Sequence, residues 1–357
     1  MKIYASHDGG SGCAWYRMLL PLRAVNDYAD GVDVVFRSGG PKLMQEQHEP
    51  LMLADAAEAD VLVSQRSNSF EGLGIWRRWS TPTCRTVYEN DDDIWNITPE
   101  NASAYESYKL GGDTREAVLR YCTTANMVTT TTPYLGDHHR ELTGGRVPVV
   151  VLPNYVPEFA LGLKHDDRQG RLRIGWAGGG SHARDVTMAT GAVRRLMRRF
   201  PQWDLFVSGV DYREKFRCPA DRSFHVPWIH VCDYPDVYYR AIDFDIGICP
   251  LLDTQFARGK SWIKALEYMA RGIPVVASDV EPYRRFIAHG VDGFLVKREH
   301  EWLSALSTLA GDEDLRARMG AAALEKARAN TIEGHWREWA DAYRMLFPVG
   351  WEYKAHA

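Results

Sequence analysis

Two short apolar runs bracket an amphipathic stretch between Phe244 and Ser278, and this arrangement constrains the fold more than any other part of the chain. The first run is Phe244-Asp245-Ile246-Gly247-Ile248-Cys249-Pro250 and the second is Ile273-Pro274-Val275-Val276-Ala277-Ser278. Both are too short for helices and rich in β-branched residues, as strands buried on both faces are. The intervening KSWIKALEYMARG repeats by threes and fours, with Ile263, Leu266 and Ala270 on one face. Strand, helix and strand in that order predict a parallel βαβ unit, whose ligands sit at the carboxyl ends of its strands.

The polar face of the predicted helix, starting from Lys260, carries Lys260, Lys264, Glu267 and Arg271. Two lysines one turn apart at a helix start face a positive macrodipole and each other. A bound anion relieves both costs, and the first amides of a helix lack internal partners, so a phosphate beside Lys260 and Ser261 is the expected ligand. A solvated face with a Lys264–Glu267 pair is the alternative.

The same alternation recurs along the chain. Candidate strands are Lys2–Ser6, Val32–Phe36, Val61–Gln65, Thr86–Glu89, Met127–Thr130 and Val147–Leu152, with helices such as Trp15–Val25 and Thr114–Thr123 between them. Pro153-Asn154-Tyr155-Val156-Pro157 interrupts this series, and Leu172–Trp176 begins a second. The pattern predicts an α/β protein of two doubly wound, parallel-sheet, Rossmann-like domains, 1–153 and 154–330. In the last segment, 331–357, the aromatic stripe Trp336, Trp339, Tyr343 and Phe347 predicts a helix that buries this face, and the family resemblance given below implies that it returns to the first domain. Packing on the second domain's own core is the alternative.

The 357 residues suffice for two full cores, and 45% apolar with 25% charged is ordinary for a globular chain. A net charge of −4 gives no global attraction to nucleic acid or an anionic bilayer. Arg194, Arg195, Arg198 and Arg199 form a local basic stripe, most simply a solvated helix face. Six scattered cysteines lack metal-site or disulfide-framework spacing, which suits a reducing compartment. The N-terminus enters a strand directly, and no segment is apolar over a membrane's thickness. A cytoplasmic location is expected.

Residues 245–296 resemble the nucleotide-sugar-binding domain of GT-B glycosyltransferases, especially the retaining, family-4-like group, in which an E-x7-E helix precedes a G-x-P-V-V-A-S strand. Glu267 matches the second glutamate, whereas Gly259 stands at the first. Asp279–Ile287, Gly290–Val296 and Leu315–Gly320 follow in the family's order, and Pro153–Pro157 is similar to its interdomain linker. The resemblance implies two domains facing a cleft and transfer of a sugar from a UDP-, GDP- or ADP-sugar to an acceptor hydroxyl, with Glu267 on the ribose. The acceptor stays open among a glycan, a protein, a small molecule and a modified DNA base. A non-catalytic binding protein of the same fold, or a related phosphorylase or epimerase, is the alternative.

Three further constellations fall where this layout puts chemistry. Gly9, Gly10 and Gly12 form a turn into a helix that carries Arg17; glycines permit close backbone approach, and the resemblance implies that this loop reaches the donor phosphates and acceptor, with Arg17 read as a catalytic charge there and a surface ion pair as the alternative. Gly178, Gly179, Gly180, Ser181, His182, Ala183 and Arg184 follow the second domain's first strand, where the family binds diphosphate. Arg184 is the expected cation, His182 a phosphate donor or loop residue, and Asp185 a helix cap. The third is Asp91-Asp92-Asp93 after a strand, where adjacent carboxylates need cations, water or shared protons. Asp92 and Asp93 are read as binding the acceptor and taking the proton of its hydroxyl, with Trp95 as a platform, and an exposed capping turn is the alternative. A magnesium or manganese site there is a less favoured reading, and no cofactor is required.

Overall fold

The computed structural model describes residues 1–7, 11–38, 58–99, 101–163, 170–351 and 353. Twelve strands are present among them: β1 (Lys2–His7), β2 (Asp33–Ser38), β3 (Val61–Gln65), β4 (Arg85–Glu89), β5 (Met127–Thr130), β6 (Val149–Val151), β7 (Leu172–Gly178), β8 (Trp203–Gly209), β9 (Ser223–Val226), β10 (Ile246–Cys249), β11 (Val275–Ser278) and β12 (Gly293–Val296). They form two six-stranded sheets, ordered β2-β1-β3-β4-β5-β6 and β12-β11-β10-β7-β8-β9. Every pairing is parallel, so the expected α/β class with two doubly wound, Rossmann-like sheets is what the chain adopts.

The chain divides into two compact units. Met1–Asn154 and Ile332–Ala357 make the first, and Tyr155–Thr331 the second. In the first unit Tyr4, Leu62, Trp76, Tyr88, Tyr121 and Val128 belong to one buried cluster, with Tyr88 and Tyr121 stacked at 5.2 Å. The C-terminal helix Ile332–Arg344 packs on Leu20–Tyr28. Trp336 stacks on Tyr28 at 6.0 Å, and Trp339 and Tyr343 are almost wholly buried.

The first helical segment is continuous over 12–28, with a π turn at Trp15–Leu19 between Gly12–Ala14 and Leu20–Tyr28. Pro21 explains the widened turn. It has no N–H for the carbonyl four residues back and its ring crowds that carbonyl, so the helix relaxes its spacing there.

In the second unit, Trp176, Val193, Leu205, Ile246, Ile248, Trp302 and Leu306 share a core. Strand order reverses between β7 and β10, so the loops after these strands diverge and leave a crevice at their carboxyl ends. Val156 pairs with Thr331 where the chain enters and leaves this unit. Among the described residues no helix is long and apolar enough to cross a membrane.

Candidate active site

The loops bordering the β7/β10 crevice are fixed by side chains from several elements. Gly178 ends β7 where space is tightest: a Cβ there would stand 2.6 Å from Lys264 Nζ and 2.7 Å from the Trp176 ring. Gly209 has φ +93°, and its Cβ would lie 2.3 Å from the Gly178 carbonyl oxygen. Those two glycines bear the steric demand. A Cβ on Gly180 would meet nothing within 4 Å, and one on Gly179 only Trp228, at 3.7 Å. Gly179 and Gly180 therefore leave an open approach to the backbone.

The helix carrying the expected donor contacts runs Ile263–Ala270, which moves Lys260 out of it. Lys260 follows a separate short helix, Gln255–Arg258, and its ammonium lies 4.4 Å from the Phe256 ring centroid. The start is displaced because Ser261 and Trp262 make the turn: Ser261 Oγ accepts from Ile263 N, and Trp262 stacks on Phe286 at 5.2 Å. Like-charge repulsion within a first helical turn is thus not the reason for this lysine pair. Lys264 remains in the helix, 4.9 Å from the Trp176 ring centroid, and donates to the Ala177 carbonyl. Burial pulls its pKa below the ordinary lysine value, with Glu267 acting in the opposite sense.

Glu267 is nearly inaccessible and accepts a hydrogen bond of 2.9 Å from the Tyr238 hydroxyl. Tyr238 itself stacks on Tyr234 at 4.1 Å and 10°. This pair was not singled out in the sequence, although a run with Tyr234, Tyr238 and Tyr239 ahead of a buried strand is a visible signal. Arg271, placed on the polar face with Lys260, Lys264 and Glu267, is buried and donates to the carbonyls of Leu163, Tyr239 and Arg240.

His182 ends the turn Gly180–His182, and its Nδ1 lies 2.8 Å from Asp185 Oδ2. Asp185 Oδ1 accepts from Leu252 N at 3.0 Å. Asp185 is therefore not the cap of helix Thr187–Arg199, whose start has no side-chain cap; it joins the loop after β7 to the loop after β10. Burial lowers the His182 pKa to about 4, and Lys264 and Lys260 add to that effect against Asp185. Arg184 is exposed next to this turn.

The expected sites of the first unit divide. Gly10 lies outside the described residues, and Gly12 opens a helix capped by Ser11. Arg17 does not reach toward a ligand. It is 1% exposed and donates from Nε and Nη2 to both Glu89 oxygens at 2.7 and 3.0 Å. Its Nη1 donates to Asn154 Oδ1 at 2.9 Å and to the Leu152 carbonyl. With Trp339 5.6 Å from its guanidinium, the side chain is a buried tie, because a partner 72 positions away satisfies it internally.

The three aspartates settle their repulsion by taking different partners. Asp91 and Asp92 lie 3.7 and 3.4 Å from the Arg66 guanidinium. Asp93 turns inward, is wholly buried, accepts from Asn96 and faces His138 Nδ1 at 3.3 Å. Asp93 is thus turned away from solvent and engaged internally, whereas Asp92 stays partly exposed beside Arg66. His138 was missed in the sequence; the hydrogen bond to Asp93 raises its pKa although burial opposes this. Its neighbour His139 contacts Asn90 Nδ2 through Nε2 at 3.1 Å, so two adjacent histidines hold both ends of the acidic turn. Trp95 lies beside both rings, at 5.5 and 5.4 Å. Among the described residues no group of three His, Cys, Asp or Glu side chains is arranged to hold a metal ion.

Residues 171–312 match the family model described as Glycosyl transferases group 1. Two curated relatives are D-inositol 3-phosphate glycosyltransferases. The Jonesia denitrificans protein is 30% identical over 129 residues, 36% of this chain and 26% of that protein. The Corynebacterium glutamicum protein is 38% identical over 122 residues, 34% and 25% of the two chains. The matched stretch thus spans about a quarter of either relative. Over the whole fold, HepE of Anabaena in complex with UDP and glucose superposes with a TM-score of 0.68 at 16% identity, covering 97% of this chain and 100% of that one. Sucrose-phosphate synthase from Thermosynechococcus elongatus gives 0.65 at 15%, covering 97% and 98%. The chain has the two-sheet GT-B fold, and residues 171–312, within its second unit, are similar to glycosyl transferases group 1.

Proposed function

We propose that the protein transfers a sugar from a nucleotide-sugar donor to an acceptor hydroxyl, with retention at the anomeric carbon. The observation that carries this reading is the buried Glu267 carboxylate, anchored by Tyr238, on the helix whose Lys264 docks at the end of β7. In the proposed complex Glu267 accepts hydrogen bonds from the ribose hydroxyls. Lys260, Ser261, Lys264, His182 and Arg184, with the open backbone at Gly179 and Gly180, receive the diphosphate.

The bond between the anomeric carbon and the phosphate oxygen breaks, and the nucleoside diphosphate leaves with the electron pair. The acceptor oxygen bonds to that carbon on the face from which the diphosphate departs, and its hydroxyl proton passes to the departing diphosphate oxygen. Negative charge grows on the leaving diphosphate, so fixed cations there lower the barrier more than they stabilise the ground state. Asp92, held by Arg66, is proposed to orient the acceptor hydroxyl. UDP-glucose is the first donor to try, since HepE has been crystallised with it.

The test is incubation with UDP-, GDP- and ADP-sugars while following release of sugar or nucleoside diphosphate. Turnover supports a transferase. Binding without turnover supports a non-catalytic binding protein, and turnover that requires inorganic phosphate supports a phosphorylase.

A further inference from the structure

His182 stands among groups with opposing demands. From its own loop Asp185 holds Nδ1 at 2.8 Å, and that carboxylate is fixed in turn by Leu252 N. Lys264 and Lys260 act on it from the following elements, and Trp176 presents its ring edge-on at 6.1 Å. Tyr212 donates to the Gly180 carbonyl in the same turn, and Arg184 lies two residues on. An imidazole backed by a fixed carboxylate is built to carry a proton. Burial first, and then the two lysines, pull its pKa down to about 4 in the free protein.

A bound diphosphate changes this balance in one direction. Its charge offsets the two lysines and adds its own attraction, while the Asp185 contact stays in place. We propose that His182 takes up a proton as the nucleotide sugar binds, so that an imidazolium joins the lysines on the diphosphate. This rests on the donor-binding reading above. Neutral His182 has only one ring N–H, and Asp185 engages that nitrogen; protonation supplies the second N–H, on Nε2, for a phosphate oxygen.

The sign follows from linkage. The group has a low pKa in the free protein and a higher one in the complex, so affinity is greatest at low pH. It falls by up to about tenfold per pH unit between the two pKa values and levels off above the bound one. UDP-glucose is the appropriate probe because its diphosphate diester does not titrate in this range, with GDP- and ADP-glucose run in parallel.

The experiment is calorimetric titration of the full chain from pH 5.5 to 8, in two buffers of different ionisation heat. The expected result is net proton uptake on binding, declining affinity as pH rises, and loss of both in His182→Gln. Asp185→Asn, which keeps an acceptor for Leu252 N, should reduce the uptake. Identical binding heats in both buffers, or an unchanged pH slope in a folded His182→Gln protein, would overturn the proposal while leaving the donor site standing. Absence of binding by all three nucleotide sugars would instead remove the donor reading on which it rests.

Discussion

Replacing Arg17 by methionine should destabilise the first unit without weakening nucleotide binding. Arg17 supplies both charge-assisted bonds to Glu89 and also satisfies Asn154 Oδ1 and the Leu152 carbonyl. Methionine keeps much of the apolar stem, so packing against Trp339 is largely preserved. What is lost is the partner of a carboxylate that is 1% exposed and retains Thr129 Oγ1 as a donor. Removing one member of a buried pair typically costs about 3–5 kcal/mol, because the remaining charge is left uncompensated. Arg17→Met/Glu89→Gln should be less destabilised than Arg17→Met, since no buried charge remains. Chemical denaturation of the full chain provides the assay, with amide exchange in β1 and β4 assigning the transition to the first sheet. A loss below about 1 kcal/mol accompanied by weakened nucleotide binding would refute the reasoning and return Arg17 to the ligand side.

Three further outcomes are expected. Lys264→Met should weaken UDP-glucose binding at least tenfold while the nucleotide-free protein melts no lower, because the ammonium is held at a desolvation cost; a large drop in melting temperature would make the lysine structural. Deleting the chain from Ile332 onward should expose the Leu20–Tyr28 face and remove Trp336, Trp339 and Tyr343, whose burial contributes roughly 1.5–3 kcal/mol each. Dye binding and faster exchange in the first sheet are the readouts, and unchanged exchange would contradict that packing. His139 is held neutral with its pKa lowered to about 3, by burial first and then by His138. Its stabilising contribution is complete above the unfolded value of about 6.5 and lost as pH falls toward 3, at up to about 1.4 kcal/mol per pH unit. His139→Gln should flatten that part of the stability profile, and an equally steep profile in the variant would show that another group is responsible.

The layered fold was legible because the strands of the first sheet, with β7, β10 and β11, announce themselves locally, whereas β8 and β9 were not named from the sequence. Val61–Gln65 and Met127–Thr130 are bounded as their composition indicates, and Val275–Ser278 forms the core of the longer apolar run in which it lies. The glycine-rich loop after β7 was legible for the same reason, although its steric demand falls on Gly178 and on distant Gly209. Side-chain destinations were harder to read because their partners are remote in sequence. Arg17 looked like a ligand cation beside a glycine-rich turn, and only the fold brings Glu89 to it. Asp185 has the residue type and position of a cap, yet its second oxygen serves Leu252. Asp93 was grouped with Asp92 by adjacency, but Asp93 stands at the start of the turn Ile94–Asn96 and accepts from Asn96, whereas Asp92 faces Arg66. The Tyr234, Tyr238, Tyr239 run and the His138-His139 pair are visible in the sequence, but neither indicates a role until the carboxylates of Glu267 and Asp93 are brought to them.

The most direct test is calorimetric titration of UDP, GDP and ADP into the wild-type protein and Glu267→Ala. If the Glu267 carboxylate accepts the ribose hydroxyls, its removal should cost about 1.5–3 kcal/mol for each lost charge-assisted bond, a tenfold or greater rise in Kd for the preferred nucleotide. A folded Glu267→Ala protein that binds that nucleotide with wild-type affinity would contradict the central assignment.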